Sequence, residues 1–133
     1  MAVIVVGYVP KPEGAAALRL AAEEAKLRDA SLVVINSHRG REVDGAESTN
    51  TDALLEGISA QLAETGIRHE VRHLVRGLDP AEDLISVAVE LEAELIIIGL
   101  RRRSPVGKLI LGSNAQRVLL DAPCPVLAVK AVE

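Results

Sequence analysis

Residues 99–120, GLRRRSPVGKLILGSNAQRVLL, hold the strongest chemical potential in the chain. Arg101, Arg102, Arg103 and Lys108 lie between Gly99 and a Gly112–Ser113 pair that opens a helical pattern. That arrangement suits phosphate. The first amides of a helix lack partners within it, the helix dipole favours negative charge, and glycine lets an anion approach the backbone. Local chemistry leaves one alternative open, in which Gly112 is a turn residue and the arginines form a solvated surface. A Walker A loop is excluded, because Arg102 stands at its first glycine and Leu109 at its magnesium-binding hydroxyl.

Other reactive side chains point away from catalysis. His69 and His73 have the spacing of a helical zinc pair, but they sit in an alternating, strand-like segment with no evident third ligand. We read them as structural and expect no metal site. No GxGxxG and no GxSxG is present, and no serine has a histidine or carboxylate at a familiar catalytic spacing. Cys124, between Pro123 and Pro125, reads as an inert core thiol. No catalytic residue is expected, and the protein is read as a non-enzyme.

Composition narrows the partners. The 133 residues suit one domain spanning the whole chain, 1–133, with an ordinary core. A net charge of −4 and a single aromatic residue, Tyr8, argue against nucleic acid, which needs positive charge and stacking rings. One cysteine excludes an intrachain disulfide. The N-terminal run AVIVVG is too short to span a membrane and has no basic flank, so a cytoplasmic address is expected.

The elements that must position the loop follow from periodicity. Residues 2–8, 31–37 and 94–99 are continuous apolar runs, the mark of strands covered on both faces. Residues 3–6, 32–35 and 96–98 should therefore be almost fully buried. Residues 12–30 switch to a helical period, with Ala17, Leu18, Ala21, Ala25 and Leu27 as the apolar set. Residues 38–50 read as a surface loop, with Thr49 or Asn50 capping a helix over 51–66 that Gly66 stops. Residues 67–75 alternate like a half-exposed strand near a sheet edge. Asp79 and Pro80 provide a cap and first turn for a helix to residue 93. A short helix over 113–122 and a last strand over 124–132 complete five strands and four helices in alternation. This order implies a parallel sheet covered on both faces, with ligands at the carboxyl ends of its strands. The loops after Val6, Ser37, Val75 and Gly99 are then the ones that matter.

The chain resembles the universal stress protein family over essentially its whole length. The resemblance rests on Gly99, Gly112 and Ser113, which match that family's spaced-glycine signature, and on the following APCPVLAVK. The segment VRGLDPAEDLI also resembles a family motif, with one extra residue between Gly77 and Pro80. The resemblance implies a single-domain, open, Rossmann-like α/β fold with strand order 3-2-1-4-5. It also implies an adenine nucleotide ligand, ATP or AMP, with Mg2+ only alongside ATP. A homodimer joined through the last strand, from Pro125 to Val132, is the implied partner. Carried onto matching positions, the nucleotide site comprises Tyr8, Val9 and Pro10 after the first strand, Ser37 after the second, and Gly77. Gly99, Arg101, Arg102, Gly112, Ser113 and Asn114 complete it around the signature loop.

Two departures fall at this site. Val9 and Pro10 replace the Asp and Gly of nucleotide-binding members, which removes a polar anchor at the adenine–ribose end. Arg102 replaces the second signature glycine. It either blocks the phosphate path or grips the phosphates through a charge-assisted contact of about 1.5–3 kcal/mol. The leading expectation is a cytoplasmic stress-response or regulatory protein that binds an adenine nucleotide as a dimer, without efficient catalysis. The alternative is a dimerisation module that has lost its ligand. A nucleotidyl-transfer enzyme would need histidine or lysine motifs at strand ends, and none is visible in the sequence.

Overall fold

The computed structural model describes residues 2–38, 45–75, 79–100 and 112–131. β-Branched runs make the centre of a five-stranded parallel sheet: β1 (Val3–Gly7), β2 (Ser31–His38) and β4 (Leu95–Leu100). The edges are β3 (His69–Val75) and β5 (Val126–Lys130), and the order is β3-β2-β1-β4-β5. Val5 pairs with Val33 on one side and with Ile96 on the other, which fixes the register of the three inner strands. Ile4, Val5, Val6, Ile96 and Ile97 are wholly buried, as apolar runs without alternation require. Val3, at the open start of its strand, keeps partial exposure and is the exception to the expected burial.

Helices cover both faces. On one, α1 (Pro12–Arg28) and α2 (Gly45–Glu64) bury Ala17, Ala21, Ala25, Leu55, Ile58 and Leu62 against Ile4, Val6, Leu32, Val34 and Ile97. On the other, α3 (Pro80–Leu91) and α4 (Ser113–Asp121) bury Ala81, Leu84, Val87, Ala88 and Val118 against Val5, Val33, Ile35, Ile96 and Ile98. The alanine row of α1, spaced by four, keeps that helix close to the sheet. Leu27, expected in the same apolar set, is instead 81% exposed. It lies two residues past Ala25, about 200° around the helix, and so faces water.

The stretch expected to be a loop over 38–50 is shorter than its sequence suggests. Strand β2 runs through His38 and α2 begins at Gly45, so Thr49 and Asn50 lie inside the helix rather than capping it. The apolar period begins only at Ala53, so the first turns of α2 carried no packing signal. Gly66 does stop the helix: its φ of 76° is left-handed, and its N–H donates to the Ala63 carbonyl at 3.2 Å.

At the β3 edge Arg72 donates to Glu70 at 2.8 Å and lies 3.5 Å from Glu90. The Glu70 hydrogen bond pushes the guanidinium pKa further up. Charges of this kind discourage a second chain from pairing with the open edge.

Candidate functional site

The chain leaves β1 for α1 on one face of the sheet and leaves β4 towards α4 on the other, so a crevice opens between the two strands at their carboxyl ends. A cleft of about 190 Å³ occupies it. Its walls are apolar, from Ile35, Ile98, Ala81, Leu84 and Val118, with Ser37, Glu13 and Asn114 among the polar lining.

Two glycines shape the cleft by letting backbone meet backbone. A Cβ on Gly14 would lie 1.8 Å from the Val9 carbonyl oxygen, and one on Gly99 would lie 2.1 Å from the Glu13 carbonyl oxygen. A side chain at Gly99 would drive the first turn of α1 off the end of β4, and one at Gly14 would drive that turn off the β1–α1 connection at Val9. Gly99 therefore lines the cleft and also seats α1.

Hydrogen bonds tie the rim together. The Tyr8 N–H donates to the Ile35 carbonyl at 2.9 Å, continuing the β1–β2 pairing past Gly7. Asn36, 2% exposed, donates from Nδ2 to the Tyr8 carbonyl at 3.4 Å. The Ser37 hydroxyl donates to Oδ2 of Asp83, a fully buried carboxylate in the first turn of α3. Tyr8 lines the cleft and also belongs to the apolar core on the α1–α2 face, and burial pushes its phenol pKa up.

Three helices start around the cleft. Their N-cap residues Lys11, Asp79 and Gly112 make no side-chain cap bond. Asp79 holds the expected cap position, but its carboxylate lies 3.7 Å from Arg117, which also donates to Glu82 at 2.7 Å. Arg117 thus links α4 to the start of α3. First-turn prolines remove one amide from α1 and from α3, whereas α4 keeps all of its own. The start of α4 is the best anion seat of the three.

Of the residues expected at a site, the structure brings Tyr8, Val9, Ser37, Gly99 and Asn114 together as cleft lining. Gly112 and Ser113 begin α4 beside it, and Pro10 is exposed outside the lining. Gly77, Arg101 and Arg102, like Arg103 and Lys108, lie outside the described residues. Sequence reasoning missed Glu13, Gly14, Ala81, Leu84 and Asp83. The lone glycine in the alanine-rich start of α1 was the available signal for Gly14. Asp83 gave none, since an acid in a first helical turn is ordinary on a solvated helix.

Both ring nitrogens of His69 have protein partners. His69 Nδ1 lies 2.8 Å from the Ile67 carbonyl and Nε2 lies 3.1 Å from the Ser59 hydroxyl. A carbonyl only accepts, so in the neutral ring Nδ1 carries the proton and Nε2 accepts from Ser59. Among the described residues no group of three or more His, Cys, Asp or Glu side chains is placed to hold a metal. Cys124 is half-buried, and burial raises its thiol pKa. None of the described helices is long and apolar enough to cross a membrane.

Known proteins share this architecture. The sequence profile of the Universal stress protein family matches residues 1–130. A universal stress protein of Mycolicibacterium smegmatis is 46% identical over 127 residues, 96% of each chain. The structure of a universal stress protein from Archaeoglobus fulgidus superposes with a TM-score of 0.78 at 35% identity, covering 98% of both chains. A structure of the Archaeoglobus fulgidus universal stress protein in complex with dAMP superposes with a TM-score of 0.72 at 29% identity, again over 98% of each chain.

Proposed function

The chain belongs to the universal stress protein family, and from that premise we propose that it binds an adenine nucleotide, ATP or AMP, in the cleft between β1 and β4. One observation carries this reading: an apolar slot opens at the topological switch point, with polar Ser37 at one end and the uncapped start of α4 at the other. The slot suits a flat base, and the helix start suits phosphate. A relative of the same fold in complex with dAMP supports the ligand class. Arg102 grips the phosphates in this reading, and Mg2+ accompanies ATP only. The protein acts as a regulatory component of a cytoplasmic stress response, without efficient catalysis.

We propose further that it works as a homodimer through β5. The strand is an apolar sheet edge, and Val126, Leu127, Ala128 and Val129 are all only partly buried. Pairing with the same strand of a second copy closes that edge with two-fold symmetry. The odd-numbered residues of β5 bond β4, as Pro125 and Ala131 do, so Ala128 turns its N–H to the open edge. Ala128→Pro removes that donor and shifts sedimentation towards monomer or aggregate. A well-behaved monomer for the unmodified chain at micromolar concentration overturns the dimer.

Calorimetric titration tests the ligand. Affinity is expected to rise from AMP to ATP and to fall with salt. Arg102→Gly is expected to lose roughly tenfold in ATP affinity, and a gain instead makes Arg102 an occluding residue. A second reading, the ligand-free dimerisation module, is favoured by Val9, an apolar side chain 40% exposed at the rim where nucleotide-binding members carry Asp. A dimer that binds neither nucleotide establishes that module.

A further inference from the structure

Ser37 and Ile35, two residues apart on β2, face the same side of the sheet and both line the cleft. A serine hydroxyl has one proton and two lone pairs. Here the proton is committed to Asp83 Oδ2, so what Ser37 offers the cleft is an acceptor. The commitment is fixed from behind. Asp83 is fully buried and sits in the first turn of α3, so its carboxylate has no solvent-exposed arrangement to turn to.

Position says which part of a nucleotide meets Ser37. It lies one residue before the end of β2, whereas Gly99 belongs to β4, and β1 lies between them. Two strand spacings are about 10 Å, a span that a base and its sugar fill together. The uncapped start of α4 draws phosphate to the β4 side, which leaves the base at the β2 side. There the slot is bounded by Ile35, Ala81 and Leu84. Its 190 Å³ falls below the roughly 300–1,000 Å³ of pockets that enclose a whole drug-sized ligand, and suits a base with the rest of the molecule outside.

Building on the nucleotide reading above, we propose that Ser37, held as an acceptor by the positioning residue Asp83, selects adenine by accepting a hydrogen bond from its exocyclic amine. Hypoxanthine carries a carbonyl at the same place. That oxygen would face a second acceptor among apolar walls, and a polar mismatch of this kind discriminates strongly.

The test is calorimetric titration of the full chain with AMP and with IMP, which differ at that group. The unmodified protein is expected to bind AMP about tenfold or more tighter than IMP. Ser37→Ala collapses the ratio to within about threefold, mainly by weakening AMP, while Ser37→Thr keeps the hydroxyl and the preference. Asp83→Asn places an amide donor against Ser37, frees the hydroxyl proton to turn into the cleft, and narrows the ratio by strengthening IMP. A thermal melt shows whether each variant folds, and Ser37→Ala carries the test if Asp83→Asn does not. Equal affinity of the unmodified chain for AMP and IMP overturns the inference, as does an unchanged ratio in Ser37→Ala. Both outcomes leave nucleotide binding standing. Absence of binding by AMP and IMP alike overturns the nucleotide reading and the inference together.

Discussion

The middle of the sheet and its carboxyl rim lie one or two residues apart on the same strands, yet they are built on opposite principles. Val34 and Ile35 give way to Asn36 and Ser37, Val6 to Gly7 and Tyr8, and Ile98 to Gly99. The middle residues are β-branched and buried on both faces. At the rim, small and polar residues bring backbone segments into contact and bond across elements, Asn36 to the Tyr8 carbonyl and Ser37 to Asp83. A domain of this size gains its stability from the middle. Its rim gives up packing, and the space left there can hold a ligand.

The largest effect should come from the middle. Ile97→Asp removes a wholly buried side chain, a loss of about 2–5 kcal/mol, and adds the cost of desolvating an unpaired carboxylate. Together these rival the roughly 5–15 kcal/mol that holds a whole domain, so the variant should be unfolded by circular dichroism. A soluble, cooperative and equally stable variant would break the comparison at its root. A smaller effect is expected at the rim. Gly99→Ala sets a Cβ against the Glu13 carbonyl, a backbone atom that cannot swing aside, and should cost about 1–3 kcal/mol in denaturant melts. Gly57→Ala is the control. It sits in α2 with nothing within 4 Å of an added Cβ, and should gain about 0.4–1 kcal/mol. Equal responses from the two glycines would remove the claim that the rim is set by close approach.

The smallest effect concerns Tyr8, at the boundary of the two regions. Burial raises its phenol pKa above the ordinary 10.0, so the folded chain holds a proton that the unfolded chain has already released. The stability this contributes is complete below pH 10.0 and is lost as pH rises through the folded-state value. Phenolate absorbance should therefore appear at higher pH in the native than in the denatured protein. Coincident midpoints would show that Tyr8 is not buried.

These two regions also differ in how legible they were. Continuous apolar runs announced β1, β2 and β4, because burial on both faces leaves a pattern within a few residues. Strand order came from family resemblance rather than from local pattern, whereas the glycine-marked loop stood out by its own chemistry. What stayed hidden was long-range. The bond from Ser37 to Asp83 spans 46 positions, and nothing near Asp83 distinguishes it from a solvated acid. The seating of α1 on Gly99 depends on two segments meeting in space, so the sequence suggested a phosphate contact and gave no hint of the packing role. Leu27 and the early start of α2 failed for simpler reasons, helical phase in one case and absent apolar period in the other.

The central claim, that the rim cleft is a nucleotide site, is tested most directly by titrating AMP into isotopically labelled protein and following its backbone amides. The account predicts saturable shifts concentrated at Ser37, Ala81, Leu84, Gly99, Asn114 and Ala115, with the amides of Ile4, Val5 and Ile97 unmoved. Shifts centred elsewhere, or none at millimolar AMP, would contradict it.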